Sequence, residues 1–402
     1  MASSCSTSGF GQDAISKNDI VTSGLDLFQN VTRETAMRNG TWVPINPMPQ
    51  VDAQTVTFDF PYNEIDFIQL DTIYASVSYK VTNENGGDLG TVAADPVGPV
   101  NLAAHALYGS CQVSIQGIPI TELENTHLGM KAYIQTLLST NETSQNSQLK
   151  IENWEMDTAK TFNDFKNKDD AVAANKGKNL GFNKRMKEVE KSTVVHSLFK
   201  PGSDIFQSKR FLLPNTRLTV KLTRNKDEYV LNSEKNTKYK IKILDIVLWA
   251  KYIAVDPAKA AGIYSHLNTN AALYPFQKSE IKTFVFSQGL TSLKIPSAFK
   301  GALPSMALVA LIHSEAIDGN YNKNPYYFEN YDLKHIACRV NGQFLPHDGY
   351  RPNFSKNDFC REYKALFDIA GMSCTDSGTA LTPALFKDGC SMYAFDFSPE
   401  VS

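Results

Sequence analysis

Two stretches far apart in the chain share one layout, and that repetition limits the available folds more than any other feature. The first runs Gln112-Val113-Ser114-Ile115-Gln116-Gly117-Ile118-Pro119-Ile120 and is followed by Thr126-His127-Leu128-Gly129-Met130-Lys131-Ala132-Tyr133-Ile134-Gln135-Thr136-Leu137-Leu138. The second runs Ile336-Ala337-Cys338-Arg339-Val340-Asn341-Gly342-Gln343-Phe344-Leu345-Pro346 and is followed by Phe359-Cys360-Arg361-Glu362-Tyr363-Lys364-Ala365-Leu366-Phe367. Each reads as a strand, a turn made by an amide residue plus glycine, a short strand carrying proline, and one amphipathic helix. Gln-Gly and Asn-Gly supply the positive φ that a tight hairpin turn requires. Met130, Tyr133, Ile134, Leu137 and Leu138 recur at helical spacing, as do Phe359, Tyr363, Leu366, Phe367 and Ala370, so each helix has one apolar face. The turn glycines lie 225 residues apart (117 and 342) and the helix tyrosines 230 apart (133 and 363). Near-equal offsets for turn and helix indicate a tandem duplication of a whole domain.

A chain of 402 residues has room for two such domains, and 42% hydrophobic and 11% aromatic residues supply packed cores. A net charge of −2 and a pI near 6.4 exclude a global basic field for nucleic acid. The six cysteines contain no CxxC pair, so neither a disulfide framework nor a zinc pattern is present, which favours a reducing compartment. The start, Met1-Ala2-Ser3-Ser4-Cys5-Ser6, lacks the basic and apolar regions of a signal peptide. Residues 243–255, the best apolar run, are interrupted by Asp245 and Lys251, so no membrane span is expected. The expectation is a soluble protein made inside the cell.

Residues 1–48 are polar and turn-rich with one apolar knot, Leu25-Asp26-Leu27-Phe28, and read as an extended N-terminal arm that docks by that knot. Strand periodicity marks 55–60, 73–81, 194–199, 211–213, 218–222 and 240–255. The last and longest changes phase between Ile243 and Leu244, which predicts a bulge there. Residues 157–191 interleave Lys160, Lys166, Lys168, Lys176, Lys178, Lys184, Arg185, Lys187 and Lys191 with Asp164, Asp169, Asp170, Glu188 and Glu190. That reads as a long exposed charged loop with few buried residues; its mixed signs and lack of aromatic interleaving argue against DNA contact. Asp256-Pro257 closes the first domain, with a short helical linker over 258–261. The domains are therefore 49–255 and 256–402. In the second, strands are expected at 281–286, 306–312 and 392–397, beside the hairpin and helix. Short strands, frequent turns and one helix per repeat give an all-β fold of two tandem jelly-roll sandwiches. The copies are unequal. Residues 139–255 follow the first helix and carry several strands; only 371–402 follow the second, so the second jelly roll is expected to lack its last strands, the counterparts of 217–222 and 240–255.

Chemistry-bearing motifs are scarce. No GxxxxGK[ST], GxGxxG, GxSxG or HExxH occurs. His313-Ser314-Glu315 matches the short HxE of zinc deaminases without the accompanying PCxxC, and His313 is expected to cap a core strand. The seven histidines (His105, His127, His196, His266, His313, His335, His347) form no HxH pair of the kind a jelly-roll metal enzyme needs. Cys360, Cys374 and Cys390 have no recognisable spacing and are expected to be buried free thiols. Four Asn-x-Ser/Thr sequons mean little without a secretory signal. No catalytic, cofactor-binding or metal-ligating residue is expected, and no cofactor. The profile is that of a structural or interaction protein.

Further stretches carry a resemblance. Asp66-Phe67-Ile68-Gln69-Leu70-Asp71-Thr72-Ile73-Tyr74, Asp95-Pro96-Val97-Gly98-Pro99-Val100-Asn101-Leu102, residues 130–138, 218–224 and 239–254 resemble the first jelly roll of major capsid proteins of the polinton (Maverick) and adintovirus-like type. Tyr274-Pro275-Phe276, Asn320-Tyr321-Asn322-Lys323-Asn324-Pro325-Tyr326 and Phe395-Asp396-Phe397-Ser398-Pro399-Glu400 resemble the second, and Leu25-Asp26-Leu27-Phe28 the N-terminal arm. The pieces are collinear over nearly the whole chain. The resemblance implies a non-enzymatic double-jelly-roll capsid protein of a DNA virus or element. Such a protein forms a homotrimer, a pseudo-hexagonal capsomer that tiles an icosahedral shell around double-stranded DNA, with penton and minor capsid proteins as partners and the virion as its location. It also implies that 157–191 is an outward loop, and the early end of the second copy implies poor assembly of the isolated chain. The alternative is a host-domesticated, capsid-derived β-sandwich protein serving cellular interactions.

Overall fold

The computed structural model describes residues 36–48, 50–120, 127–166, 178–235, 237–299, 303–372 and 378–398. Among these residues eleven strands precede Asp256: β1 (Met37–Ile45), β2 (Thr55–Asp59), β3 (Phe67–Asn83), β4 (Val97–Pro99), β5 (Tyr108–Ile115), β6 (Ile118–Pro119), β7 (Val195–Phe199), β8 (Phe211–Leu212), β9 (Leu218–Arg224), β10 (Leu231–Ser233) and β11 (Tyr239–Val255). Four follow it: β12 (Met306–Ala310), β13 (Ile336–Val340), β14 (Gln343–Tyr350) and β15 (Met392–Asp396). The helices are short: α1 (Ala103–Ala106), α2 (Leu128–Ser139), α3 (Glu142–Asn146), α4 (Leu180–Glu188), α5 (Asp227–Val230), α6 (Pro257–Leu267), α7 (Ser314–Asp318), α8 (Cys360–Ile369) and α9 (Pro383–Asp388). None of the described helices is long and apolar enough to cross a membrane.

Two principal antiparallel sheets make the first half. One has the order β1-β11-β3-β7, with β8 also on β3; the other has the order β2-β9-β5-β6. The chain passes repeatedly from one sheet to the other, and the two interleaved orders are those of an eight-stranded jelly roll. Alternation in the sequence places the inward residues: Ile73, Ala75, Val77, Tyr79 and Val81 on β3, and Leu218, Val220 and Leu222 on β9, are all buried. The expected bulge is present, because the β11–β3 register shifts between Ile243 and Asp245 and leaves Leu244 facing out.

Both hairpins form as read. Gln116 (φ 52°) and Gly117 (φ 79°) turn the chain so that Ile115 pairs with Ile118; Asn341 (φ 49°) and Gly342 (φ 90°) pair Val340 with Gln343. A two-residue turn with both φ positive matches the strand twist. The duplication extends further than hairpin and helix. In the first half β3 pairs with β7 over five residues, Ala75–Tyr79 against Phe199–Val195. In the second, β12 pairs with β15 over five residues, Met306–Ala310 against Asp396–Met392, also antiparallel and 231 residues on (75 and 306). The second half therefore repeats two strand pairs of the jelly roll, β3/β7 and β5/β6, as two separate two-stranded sheets.

Four expectations change. Within the segment assigned to the arm, residues 37–45 are an edge strand on β11, while the Leu25–Phe28 knot lies outside the described residues. The charged segment 157–191 is no exposed loop where it is described: Asp157, Phe162, Phe165, Phe182, Arg185, Met186 and Val189 are buried, and α4 packs on β4; residues 167–177 lie outside the described ones. Phe182, Met186 and Val189 fall at i, i+4 and i+7, an apolar stripe that the lysines on the other face obscured. No strand forms at 281–286, where the chain is largely exposed. Finally, α6, capped by the Asp256 side chain on the Ala258 N–H at 2.9 Å, is longer than the expected linker and buries no residue.

Candidate functional site

No group of three or more His, Cys, Asp or Glu suited to a metal occurs among the described residues. The histidines are dispersed on structural duties. His313 Nδ1 accepts from the Glu315 N–H at 3.3 Å and so starts α7, a helix cap rather than a strand cap. His105 meets Glu152 at 3.1 Å, and His196 meets Ser78 at 2.8 Å. Of the thiols expected to be buried, Cys390 is, Cys360 is exposed, and Cys374 lies outside the described residues; Cys111 is buried as well, and burial pushes Cys111 and Cys390 up to about 12. A protonated buried thiol is a poor nucleophile. A polar cleft of about 320 Å³ is lined by Asp52, Gln54, Arg224, Asp227 and Lys240, but its guanidinium is already engaged by Asp52, Asp227 and the Ile241 carbonyl.

The arrangement most distinctive of this chain is the buried junction between its halves. Helix α2 contributes Tyr133, and the stretch after α7 contributes Tyr326 and Phe328. The Tyr133 and Tyr326 rings stack with centroids 4.5 Å apart and planes 6° apart; Trp154 stacks on Tyr133 at 5.4 Å, and Phe328 meets it edge-on at 6.2 Å. Such pairs add about 0.5–1.5 kcal/mol each beyond burial of their area. The Tyr133 hydroxyl lies 3.6 Å from Cys390 Sγ. Gly129 makes the approach possible, since a Cβ there would stand 2.6 Å from Tyr326 Oη and 2.8 Å from Ala106 Cα.

Polar groups complete the lock. Arg185, 0% exposed, donates through Nη2 to Asp157 Oδ1 at 2.7 Å, through Nε to the Pro99 carbonyl at 2.9 Å, and through Nη1 to the Glu155 carbonyl. The other Asp157 oxygen accepts from Asn324 Nδ2 at 3.3 Å, and the Asn324 N–H donates to Asn163 at 2.8 Å. Tyr321 Oη donates to the Tyr239 carbonyl at 2.8 Å, and Asn232 Nδ2 donates to the Lys323 carbonyl at 2.9 Å. Asp204, paired with buried Lys131 at 2.6 Å, also holds the Ser279 N–H at 2.8 Å. Buried residues of both halves consequently belong to one apolar cluster. Burial holds the Tyr133 and Tyr326 hydroxyls well above the usual tyrosine range. Neutral hydroxyls, a protonated thiol and a guanidinium bonded through each of its three nitrogens perform no proton transfer; they fix one half upon the other. Sequence reasoning missed Asp157, Arg185 and Asn324. The only available signal was Arg185 on the Phe182–Val189 stripe, and nothing in sequence spacing links either residue to Asn324.

No family model matches the chain. The uncharacterized protein F54H12.2 of Caenorhabditis elegans is 18% identical over 381 residues, covering 91% of this chain and 85% of the worm protein. Among solved structures, the chain is similar to the PBCV-1 VP54 structure fitted into a reconstruction of the virophage Sputnik (TM-score 0.42, 12% identity, 92% of this chain and 80% of that one). It is also similar to the Sputnik virophage structure (TM-score 0.40, 12% identity, 58% of this chain), spanning about half, 51%, of that chain. The mavirus major capsid protein gives a TM-score of 0.28 at 12% identity, over 61% of this chain and 50% of its own.

Proposed function

We propose that the chain is the subunit of a virus-type protein shell, a double-jelly-roll major capsid protein. One observation carries the reading: a jelly roll and the repeat of its β3/β7 and β5/β6 pairs are locked in a single chain by a junction of chemically inert groups. The collinear sequence resemblance to capsid proteins of the polinton and adintovirus-like type supports it. Physically, a jelly roll and its repeat held by one buried junction give a subunit with two lobes, and three such subunits give six. In this reading the protein is not an enzyme and needs no cofactor. It assembles as a homotrimeric, pseudo-hexagonal capsomer, tiles an icosahedral shell around double-stranded DNA with penton and minor proteins, and resides in the virion. Sedimentation velocity on protein isolated from its source tests this. A species of three times 44.6 kDa is expected; a monomer at every concentration would contradict it.

A second reading has one observation in its favour, the similar protein in an animal, which matches 91% of this chain. A copy resident in a cellular genome can be a host-domesticated β-sandwich interaction protein with no virion role. Neighbouring genes for a packaging ATPase and a protein-primed polymerase support the shell; their absence supports domestication.

A further inference from the structure

Helix α6 joins the jelly roll to its repeat, yet not one of its eleven residues is buried. A helix of that length is marginal in water unless a neighbour covers its apolar face. α6 has such a face. Ala260, Ile263, Tyr264 and Leu267 fall at i, i+3, i+4 and i+7; Tyr264 is 40% exposed and the other three are half-buried. The structure delivers one part of the chain to this helix. Met37, which opens β1, pairs antiparallel with Val255, which ends β11, so the residues before β1 leave the sheet at the end from which α6 departs. The Ala36 carbonyl accepts from the Asp256 N–H at 2.7 Å, and Arg38 Nη2 donates to the Asp256 carboxylate at 2.5 Å. Asp256 is also the residue that caps α6. The chain preceding Ala36 is thus fastened at the first turn of the helix. The densest apolar stretch of residues 1–35 is Leu25-Asp26-Leu27-Phe28, and Phe28 lies eight residues before Ala36. Eight extended residues reach about 26–29 Å, whereas α6 is about 16 Å long. The whole apolar face lies within range, and so short a tether sets an effective concentration on the order of millimolar. Charge agrees: α6 carries Lys259 and no acidic residue, while residues 18–32 carry Asp19 and Asp26 and no basic one.

We infer that the apolar face of α6 is the dock for the chain's own segment 25–28, with Leu25, Leu27 and Phe28 covering Ile263, Tyr264 and Leu267. Docked there, the segment stabilises α6 as a helix and braces the connection between the two halves. The inference concerns contacts within one chain and stands whether the protein builds a shell or serves a host.

Hydrogen exchange read by mass spectrometry tests it on the whole 402-residue chain. Residues 260–267 are expected to exchange at least ~10-fold faster in a chain carrying Leu25→Asp, Leu27→Asp and Phe28→Asp than in the parent, while residues 241–250 of β11 exchange alike in both. Photo-crosslinking supplies the second readout. With p-benzoylphenylalanine in place of Phe28, irradiation of dilute protein is expected to join that position to residues 257–267 in a product of monomer mass, and Ile263→Asp with Leu267→Asp is expected to abolish the product. Equal exchange at 260–267 in parent and triple variant overturns the inference, as does crosslinking to any other part of the chain. A product of dimer mass that disappears on dilution also overturns it, and makes the same segment of a second copy the occupant.

Discussion

Arg185 is the residue on which most of the junction depends, because three carbonyl or carboxylate groups and one asparagine converge through it and Asp157. Both side chains are shut off from water, at 1% and 0% exposure. Removing one partner strands the other, and a broken buried pair typically costs about 3–5 kcal/mol. Asp157→Ala is therefore expected to lower the denaturation free energy by that order in a urea titration; a change under ~1 kcal/mol would show the pair to be solvated. Nearby, burial and the Glu155 charge raise the Glu188 carboxyl above its ordinary 4.5. The folded protein thus holds that proton more tightly than the unfolded chain. The linked stability is fully present below about pH 4.5 and is lost as pH rises through the raised value. Glu188→Gln is expected to raise Tm at pH 7 and to give no gain below pH 4.5, which melting curves at several pH values will read. The thiols divide in the same way: site-resolved labelling should modify Cys360 at once, and Cys111 and Cys390 only on unfolding.

Among the elements, the paired hairpins give the most direct check on duplication. Gly117 and Gly342 have φ of 79° and 90° with no heavy atom near a prospective Cβ, so backbone conformation alone sets the cost of a side chain. Gly117→Ala and Gly342→Ala are each expected to lose about 1–2 kcal/mol of stability, and losses of similar size would mark the turns as equivalent. Gly129→Ala adds a clash with Ala106 and Tyr326 and is expected to cost about 1–3 kcal/mol, seen as reduced Tm with the first-half sheets intact by circular dichroism. These elements were legible because period and turn chemistry are local: β3, β9, the bulge at Ile243 and both Xaa-Gly turns follow from a few adjacent residues. What was not legible depends on distant partners. The stretch 281–286 has a strand's pattern but no strand beside it, and α4 has a charged composition whose apolar stripe finds β4 only in three dimensions.

At the scale of the whole molecule, the halves share one apolar cluster, yet the first is a complete jelly roll and the second a partial repeat of it. A buried junction between a jelly roll and its partial repeat suits a part that must hold its shape under load from neighbours, whereas enzymes place their flexibility and titrating groups at a site. The proposal that this chain is a shell subunit, with each copy of the duplication forming one lobe, is tested most directly by cryo-electron microscopy of particles purified from cells that carry the gene. Six-lobed capsomers built from three chains are the expected image. Unassembled chains, or capsomers in which each chain forms a single lobe, would contradict it.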